Sequence, residues 1–253
     1  MKLIRDDLAV KARLLPPTDD GFVLLAAEAG RWLGYLPSAH TAMAARLQEM
    51  AATVEAREAT VFRAILRAPG EGDQLLTARG LHSARYDVVV LFRTSTVDAA
   101  LALRDSAGYR ALAAAARAGS RRTHEVVASN AARLGDVDHG PDHAFLFNYF
   151  YADDRETLLK VWEYTAGWFQ HKTALPNSAL MRPLDGEPAD YGIINHASWP
   201  TVPTFLPSLL FRPTFRSFVL ANFKANGIAA QPIIYRRMRP SPAAPAGTAR
   251  PAT

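Results

Sequence analysis

The chain has 253 residues, 49% of them apolar and 21% charged, with a formal net charge of +5; this is an ordinary globular composition, long enough for one large domain or two small ones. It contains no cysteine, which excludes disulfides, thiolate chemistry and cysteine-held zinc or iron–sulfur sites and fits a reducing, cytoplasmic compartment. No apolar run approaches the ~18 residues of a membrane span, the start Met-Lys-Leu-Ile-Arg-Asp-Asp lacks signal-peptide features, and the arginines are scattered with no aromatic-studded basic face, so nucleic acid is not an expected partner.

Residues 1–20 are polar and end in Pro16-Pro17-Thr18-Asp19-Asp20. An aspartate cap followed by Phe22, Leu25, Ala26, Ala29, Trp32 and Leu33 at helical spacing predicts a helix from near residue 22. A second helix is predicted over 38–57, with Met43, Leu47, Met50 and Val54 on one stripe. Residues 1–59 therefore read as an N-terminal helical extension packed on the core. The amphipathic stretch 22–57 is the place where a membrane surface or partner protein would be met. From Thr60 the pattern changes to strands: 61–67, 86–92 and 123–128, with a helix over 97–118. Gly135-Asp136-Val137-Asp138-His139-Gly140-Pro141-Asp142 is rich in turn residues and marks the boundary of a first unit, 60–135.

The second unit, 143–239, is clearer. Strand 143–151 carries five aromatics, Asp153-Asp154 cap a helix over 155–173, and strand 178–184 turns at Asp185-Gly186-Glu187. Strand 190–199 follows, then a helix over 203–223 interrupted near Pro213, and a last strand over 232–238. This β-α-β-β-α-β order is the ferredoxin-like unit. Residues 240–253 are rich in proline and alanine and read as a disordered tail.

Strand 190–199 holds the strongest functional signal. Asn195 and His196 interrupt an otherwise buried sequence, and Trp199 closes it before Pro200. A buried amide needs a protein partner or a ligand, so these groups are either satisfied core residues or parts of a site. Alternation puts Asn195 and His196 on opposite faces. The halves also align: 86–92 resembles 191–197, Gly108-Tyr109-Arg110 falls opposite Thr214-Phe215-Arg216, and Phe62 and Ile65 fall opposite Phe145 and Asn148. In this alignment Asn148, Asn195 and Trp199 replace Ile65, Val90 and Thr94. Chemistry is therefore expected in the second half, with the first as its structural partner.

Asn148 on the first strand of that half, Leu184-Asp185-Gly186 at the hairpin and the Asn195-His-Ala-Ser-Trp199 segment resemble the antibiotic biosynthesis monooxygenase family of dimeric α+β barrels. The resemblance implies an α+β fold with two ferredoxin-like sheets facing one another in one chain. They would enclose an apolar cavity, with helices outside and 190–199 antiparallel to 143–151. It also implies a cofactor-independent oxygenase that turns an electron-rich, polyketide-like phenol or anthrone into a quinone with O2, needing a dry pocket, a proton acceptor and donors that hold a phenolate. On that reading Asn148, Asn195, Trp199 and His196 are the catalytic candidates. Tyr149, Tyr151, Trp168, Phe205, Phe215 and Arg216 are candidates for contacting the aromatic substrate. No bound cofactor or metal is expected. Haem binding or degradation is an alternative, since one histidine suffices as axial ligand. A further alternative is a non-catalytic accessory protein that holds a hydrophobic ligand or docks on a membrane or enzyme. A second copy of the chain is a candidate partner.

Overall fold

The computed structural model describes residues 1–38, 41–188 and 190–239; the tail expected over 240–253 lies outside the described residues. The first departure from the sequence reading is at Phe22. Gly21–Glu28 is a strand, β1, not a helix. Its run Phe22-Val23-Leu24-Leu25-Ala26-Ala27 is apolar at every position. A short continuous run of this kind fits a strand buried on both faces as well as it fits a helix. Phe22, Leu24 and Ala26 join one core cluster, while Val23, Leu25 and Ala27 join another. A short hairpin, β2 (Trp32–Leu33) and β3 (Leu36–Pro37), leads to helix α1 (Thr41–Ala51) and then β4 (Glu58–Arg67).

The first unit continues through α2 (Asp73–Ala78), β5 (Val88–Thr94), α3 (Val97–Asp105), α4 (Ala107–Ala118) and β6 (Arg122–Gly135). The single helix expected over 97–118 is broken at Ser106, whose extended backbone and side chain cap α4 by accepting from Tyr109 N–H. Such a hydroxyl cap satisfies one of the orphan amides of a helix start. The second unit is β7 (Ala144–Ala152), α5 (Arg155–Thr173), β8 (Asn177–Pro183), β9 (Ile193–Trp199), α6 (Val202–Phe211), a π-helical turn Phe215–Leu220 running into α7 (Ala221–Ala225), and β10 (Ile228–Arg237). Pro213 divides the last helical region. Arg212, the residue before it, is extended at φ −84°, ψ 117°, the conformation a following proline imposes.

Eight strands close a barrel in the order β1-β5-β4-β10-β7-β9-β8-β6, antiparallel throughout. Two ferredoxin-like sheets, β6-β1-β5-β4 and β10-β7-β9-β8, join edge to edge at β4–β10 and β6–β8, so the units abolish each other's exposed edges. Each unit has the full β-α-β-β-α-β set once β1 and α1 are counted in the first. The first unit therefore begins at β1 rather than at residue 60. The stretch 1–59 is not a helical extension but a strap, a barrel strand, a hairpin and one helix.

The strap is residues 1–16. It crosses the second unit's helices, with Lys2 N–H donating to Asn226 Oδ1 (2.6 Å), Ile4 N–H to Asn222 Oδ1 (2.8 Å) and Ala12 N–H to Glu163 O (2.9 Å). It passes so close to α5 that a Cβ at Gly167 would lie 1.9 Å from Val10 O. Residues 22–27 are buried in the barrel, so they offer no membrane face; among the described residues of 22–57 the exposed large apolar side chains are Leu33, Tyr35 and Leu36 on the hairpin. Among the described residues no helix is long and apolar enough to cross a membrane.

Candidate functional site

Three apolar layers follow from strand alternation: the barrel lumen, and one helix-covered outer face for each unit. The lumen is not the expected cavity. It is filled by rings, among them Phe62, Phe145, Phe147, Tyr149 and Tyr235, with Phe147 stacked on His196 at 4.2 Å between centroids. The first unit's outer face is likewise packed, Phe92 meeting Tyr109 edge-on at 5.7 Å. An open space of about 670 Å³, mouth included, lies on the second unit's outer face, between its sheet and α5–α7; a smaller one, of about 370 Å³, lies at the lumen end beside His139 and His196.

Asn148, Asn195 and Trp199 line the larger pocket, with Leu146, Phe150, Trp162, Phe169, Phe205, Leu209, Phe215 and Val219 among its apolar walls. Asn148 and Asn195 are direct cross-strand partners on β7 and β9, which brings same-face side chains to within about 5.5 Å at Cβ. Asn195 is 6% exposed. Its Oδ1 accepts from Ser178 Oγ on β8 at 2.5 Å. Asn148 is half-buried, and its Oδ1 has no hydrogen-bond partner among the described residues. Trp199 is a wall: its Nε1–H donates to Thr173 Oγ1 at 3.1 Å, and its ring lies 4.5 Å from that of Phe205.

His196 faces the lumen, away from the pocket. Its Nδ1 is 3.0 Å from Leu146 O and its Nε2 is 2.8 Å from His139 Nε2. His139 Nδ1 in turn meets Glu58 Oε1 at 2.6 Å and Thr60 Oγ1 at 3.1 Å. Since Nδ1 of His196 must donate to the carbonyl, its Nε2 accepts and His139 Nε2 donates. Burial pushes the Glu58 carboxyl up, but the hydrogen bond and charge of His139 outweigh that and hold it below its usual range. Burial, then the nearby His139, drives His196 well below the ordinary imidazole value. It is a neutral link between unit one, the linker and unit two, without access to the pocket.

The remaining candidates divide. Phe205 and Phe215 line the pocket. Tyr149 is buried in the lumen, 3.4 Å from Tyr235 hydroxyl to hydroxyl, and burial raises its phenol far above the usual value. Tyr151 donates to Asp153 at 2.7 Å at the strand end. Trp168 donates to Thr214 at 3.1 Å within the helix layer, and Arg216 is exposed; neither lines the pocket. Ser178 is the residue the sequence reading missed. Its signal was register. With β1 matched to β7 and β4 to β8, Leu25–Val90 is the counterpart of Asn148–Asn195, and Ala59, opposite Phe92, is the counterpart of Ser178, opposite Ala197. The earlier match of Ile65 to Asn148 paired the wrong strands.

Haem does not suit this pocket. Its lining holds no histidine, tyrosine, cysteine, methionine or lysine to ligate iron and no arginine to meet propionates.

No family model matches the chain, and no curated protein matches it. Solved structures do. An anthrone oxidase-like protein superposes with a TM-score of 0.62 at 9% identity over 91% of this chain and 94% of its own. A protein named as a monooxygenase candidate from Fusobacterium nucleatum superposes with a TM-score of 0.55 at 6% identity over 88% of this chain and 94% of its own. At such identities the likeness is one of fold. The chain thus shares the fold of these two proteins, an α+β barrel of eight strands in which both ferredoxin-like halves are carried on one polypeptide.

Proposed function

We propose that the chain is a cofactor-independent monooxygenase that oxidises a hydroxylated polycyclic aromatic, an anthrone-type substrate, in the pocket of the second unit. The observation that carries this reading is the polar group Asn148, Asn195 and Ser178 inside an otherwise apolar pocket, at places where the first unit has Leu25, Val90 and Ala59. The fold shared with an anthrone oxidase-like protein supports it.

The reaction balances without a cofactor. An anthrone CH2 becomes the C=O of a quinone and gives up four electrons; O2 takes them, one oxygen entering the product and the other leaving as water. None of the pocket's lining side chains titrates near neutrality, so the acidity of the substrate itself has to supply the reactive enolate, with water as proton acceptor. The protein's part is then to bind, to exclude bulk water and to hold charge. Asn195, its Oδ1 engaged by Ser178, would give its Nδ2–H groups to the enolate oxygen. Asn148 Oδ1 would accept from a neighbouring hydroxyl. The aromatic walls would hold the ring system.

Oxygen uptake with a hydroxyanthrone tests this. One O2 consumed per quinone formed, without hydrogen peroxide and with a large loss in Asn195→Ala, is the expected result. Tight binding of the aromatic with no uptake would replace the enzyme by a carrier of hydrophobic ligands.

A further inference from the structure

We propose that Ser178 is a positioning residue that sets the orientation of the Asn195 amide, turning its nitrogen toward the pocket. The proposal rests on the pocket reading above. Ser178 is 0% exposed, and its only side-chain hydrogen bond among the described residues is to Asn195 Oδ1. A buried hydroxyl proton needs an acceptor. With the amide as it stands, that acceptor is Oδ1. With the amide flipped, Ser178 Oγ would accept from Nδ2 and its own proton would be left unbonded in a dry site, costing the flipped state its population. Ser178 thus converts a side chain that presents either a donor or an acceptor into one that presents a donor.

The geometry gives the residue reach. Ser178 stands opposite Ala197 on β9, two residues beyond Asn195 on the same face, a diagonal placement within side-chain contact. The first unit shows that the hydroxyl is not needed for folding. Ala59 fills the matching place, Val90 the place of Asn195, and that sheet forms its strand pairs without either polar group. The hydroxyl and the amide are thus present together in one unit and absent together from the other. A consequence for the ligand follows: the pocket selects an aromatic with an anionic or carbonyl oxygen at Asn195 and a hydroxyl at Asn148, and it disfavours a ring system with a hydroxyl donor at both.

The test uses the full chain with Ser178→Ala, Ser178→Thr and Asn195→Ala. Steady-state oxidation of a hydroxyanthrone is measured beside the side-chain amide NMR signals of Asn195, assigned by their loss in Asn195→Ala. Ser178→Ala is expected to lower kcat about tenfold with KM within about twofold, and Ser178→Thr, which restores the hydroxyl, to recover kcat to within about threefold. In the unmutated protein the Nδ2 protons are expected to show stronger NOEs to pocket side chains than to the Ser178 Cβ protons. Full kcat in Ser178→Ala with a crippled Asn195→Ala would overturn the positioning role. So would Ser178→Thr no better than Ser178→Ala, or strong NOEs from Nδ2 to Ser178. Undiminished turnover in Asn195→Ala would instead sink the pocket reading, and the NOE pattern would still decide the orientation.

Discussion

Replacing Asn195 by valine installs in the second unit the residue the first unit carries at that place, and it separates the cost of the site from the cost of the fold. Among the described residues Asn195 makes one side-chain hydrogen bond, from Ser178. Losing such a bond removes about 1 kcal/mol, and leaving the buried Ser178 proton without an acceptor costs about 1–3 kcal/mol; the apolar valine offsets part of this by burying methyl groups in place of an amide. The single variant should therefore lose about 1–2 kcal/mol, a fall in Tm of roughly 2–8 °C for a chain of this size. Adding Ser178→Ala removes the orphaned hydroxyl, and the double variant should return to within about 1 kcal/mol of the unmutated protein or exceed it. The coupling between the two substitutions is then positive and measurable in a double-mutant cycle. Turnover should fall about 10²–10³-fold in both variants if Asn195 holds the developing oxyanion. Urea unfolding and oxygen uptake on the same preparations provide both readouts. A double variant still destabilised by more than about 3 kcal/mol would mean that the amide holds the sheet together, and the reasoning from the duplicated unit would be wrong.

Three further outcomes are expected. Trp199→Phe should keep the pocket wall and lose only the bond to Thr173, about 1 kcal/mol, because Thr173 retains its donation to Phe169 O; Trp199→Ala should cost about 3–5 kcal/mol, and equal midpoints in urea for the two would contradict this. His196 has a folded-state pKa held well below its usual 6.5 by burial and by His139, so it binds its proton only on unfolding. Stability is then full above about pH 6.5 and falls by up to about 1.4 kcal/mol per unit as pH drops below it. His196→Gln should abolish this slope between pH 7 and 5 while leaving the loss below about pH 4.5 that comes from the lowered carboxyls of Glu58 and Asp20; parallel slopes in the two proteins would refute it. Gly167→Ala, which would stabilise an unobstructed helix by about 1 kcal/mol, should here dislodge the strap at Val10 and expose residues 1–16 to protease, and unchanged cleavage kinetics would show that the strap does not depend on that contact.

Much of the second unit could be read from its residues because each signal there had one interpretation. Asp154 caps α5 by accepting from Glu156 and Thr157 N–H, Pro213 breaks the last helical region, and Asn195 interrupts an apolar strand. The first unit was harder for a physical reason. β1 is buried on both sides, so it lacks the polar alternation that marks a strand, and its alanines and leucines satisfy helical spacing by coincidence. Missing β1 shifted the strand matching between halves, hid the pairing of Ser178 with Ala59, and left the first unit apparently short of a helix and a strand. The choice of pocket face could not come from alternation either. Period 2 separates Asn195 from His196, but only the filling of the two sides decides which is open, and that depends on rings contributed by distant strands.

The two units show what that difference in filling does. In the first, Phe92 projects from the sheet into Tyr109 of α4 and the layer closes. In the second, Ala197 stands in the place of Phe92, and the nearest large ring on β9 is Trp199, two residues along, tied to Thr173 and leaning on Phe205. A ring is missing from the centre of the layer and another is held at its side. The polar residues border the space this leaves, and Asn148 Oδ1 beside it is buried without a hydrogen-bond partner among the described residues, a group that asks for a ligand or water. The same residues in the first unit would be sealed under Phe92 and would cost several kcal/mol. The amides, the serine and the small Ala197 are therefore one arrangement, and a barrel built from two units can keep it in one half because the other half, closed and apolar, supplies the edges that both sheets need.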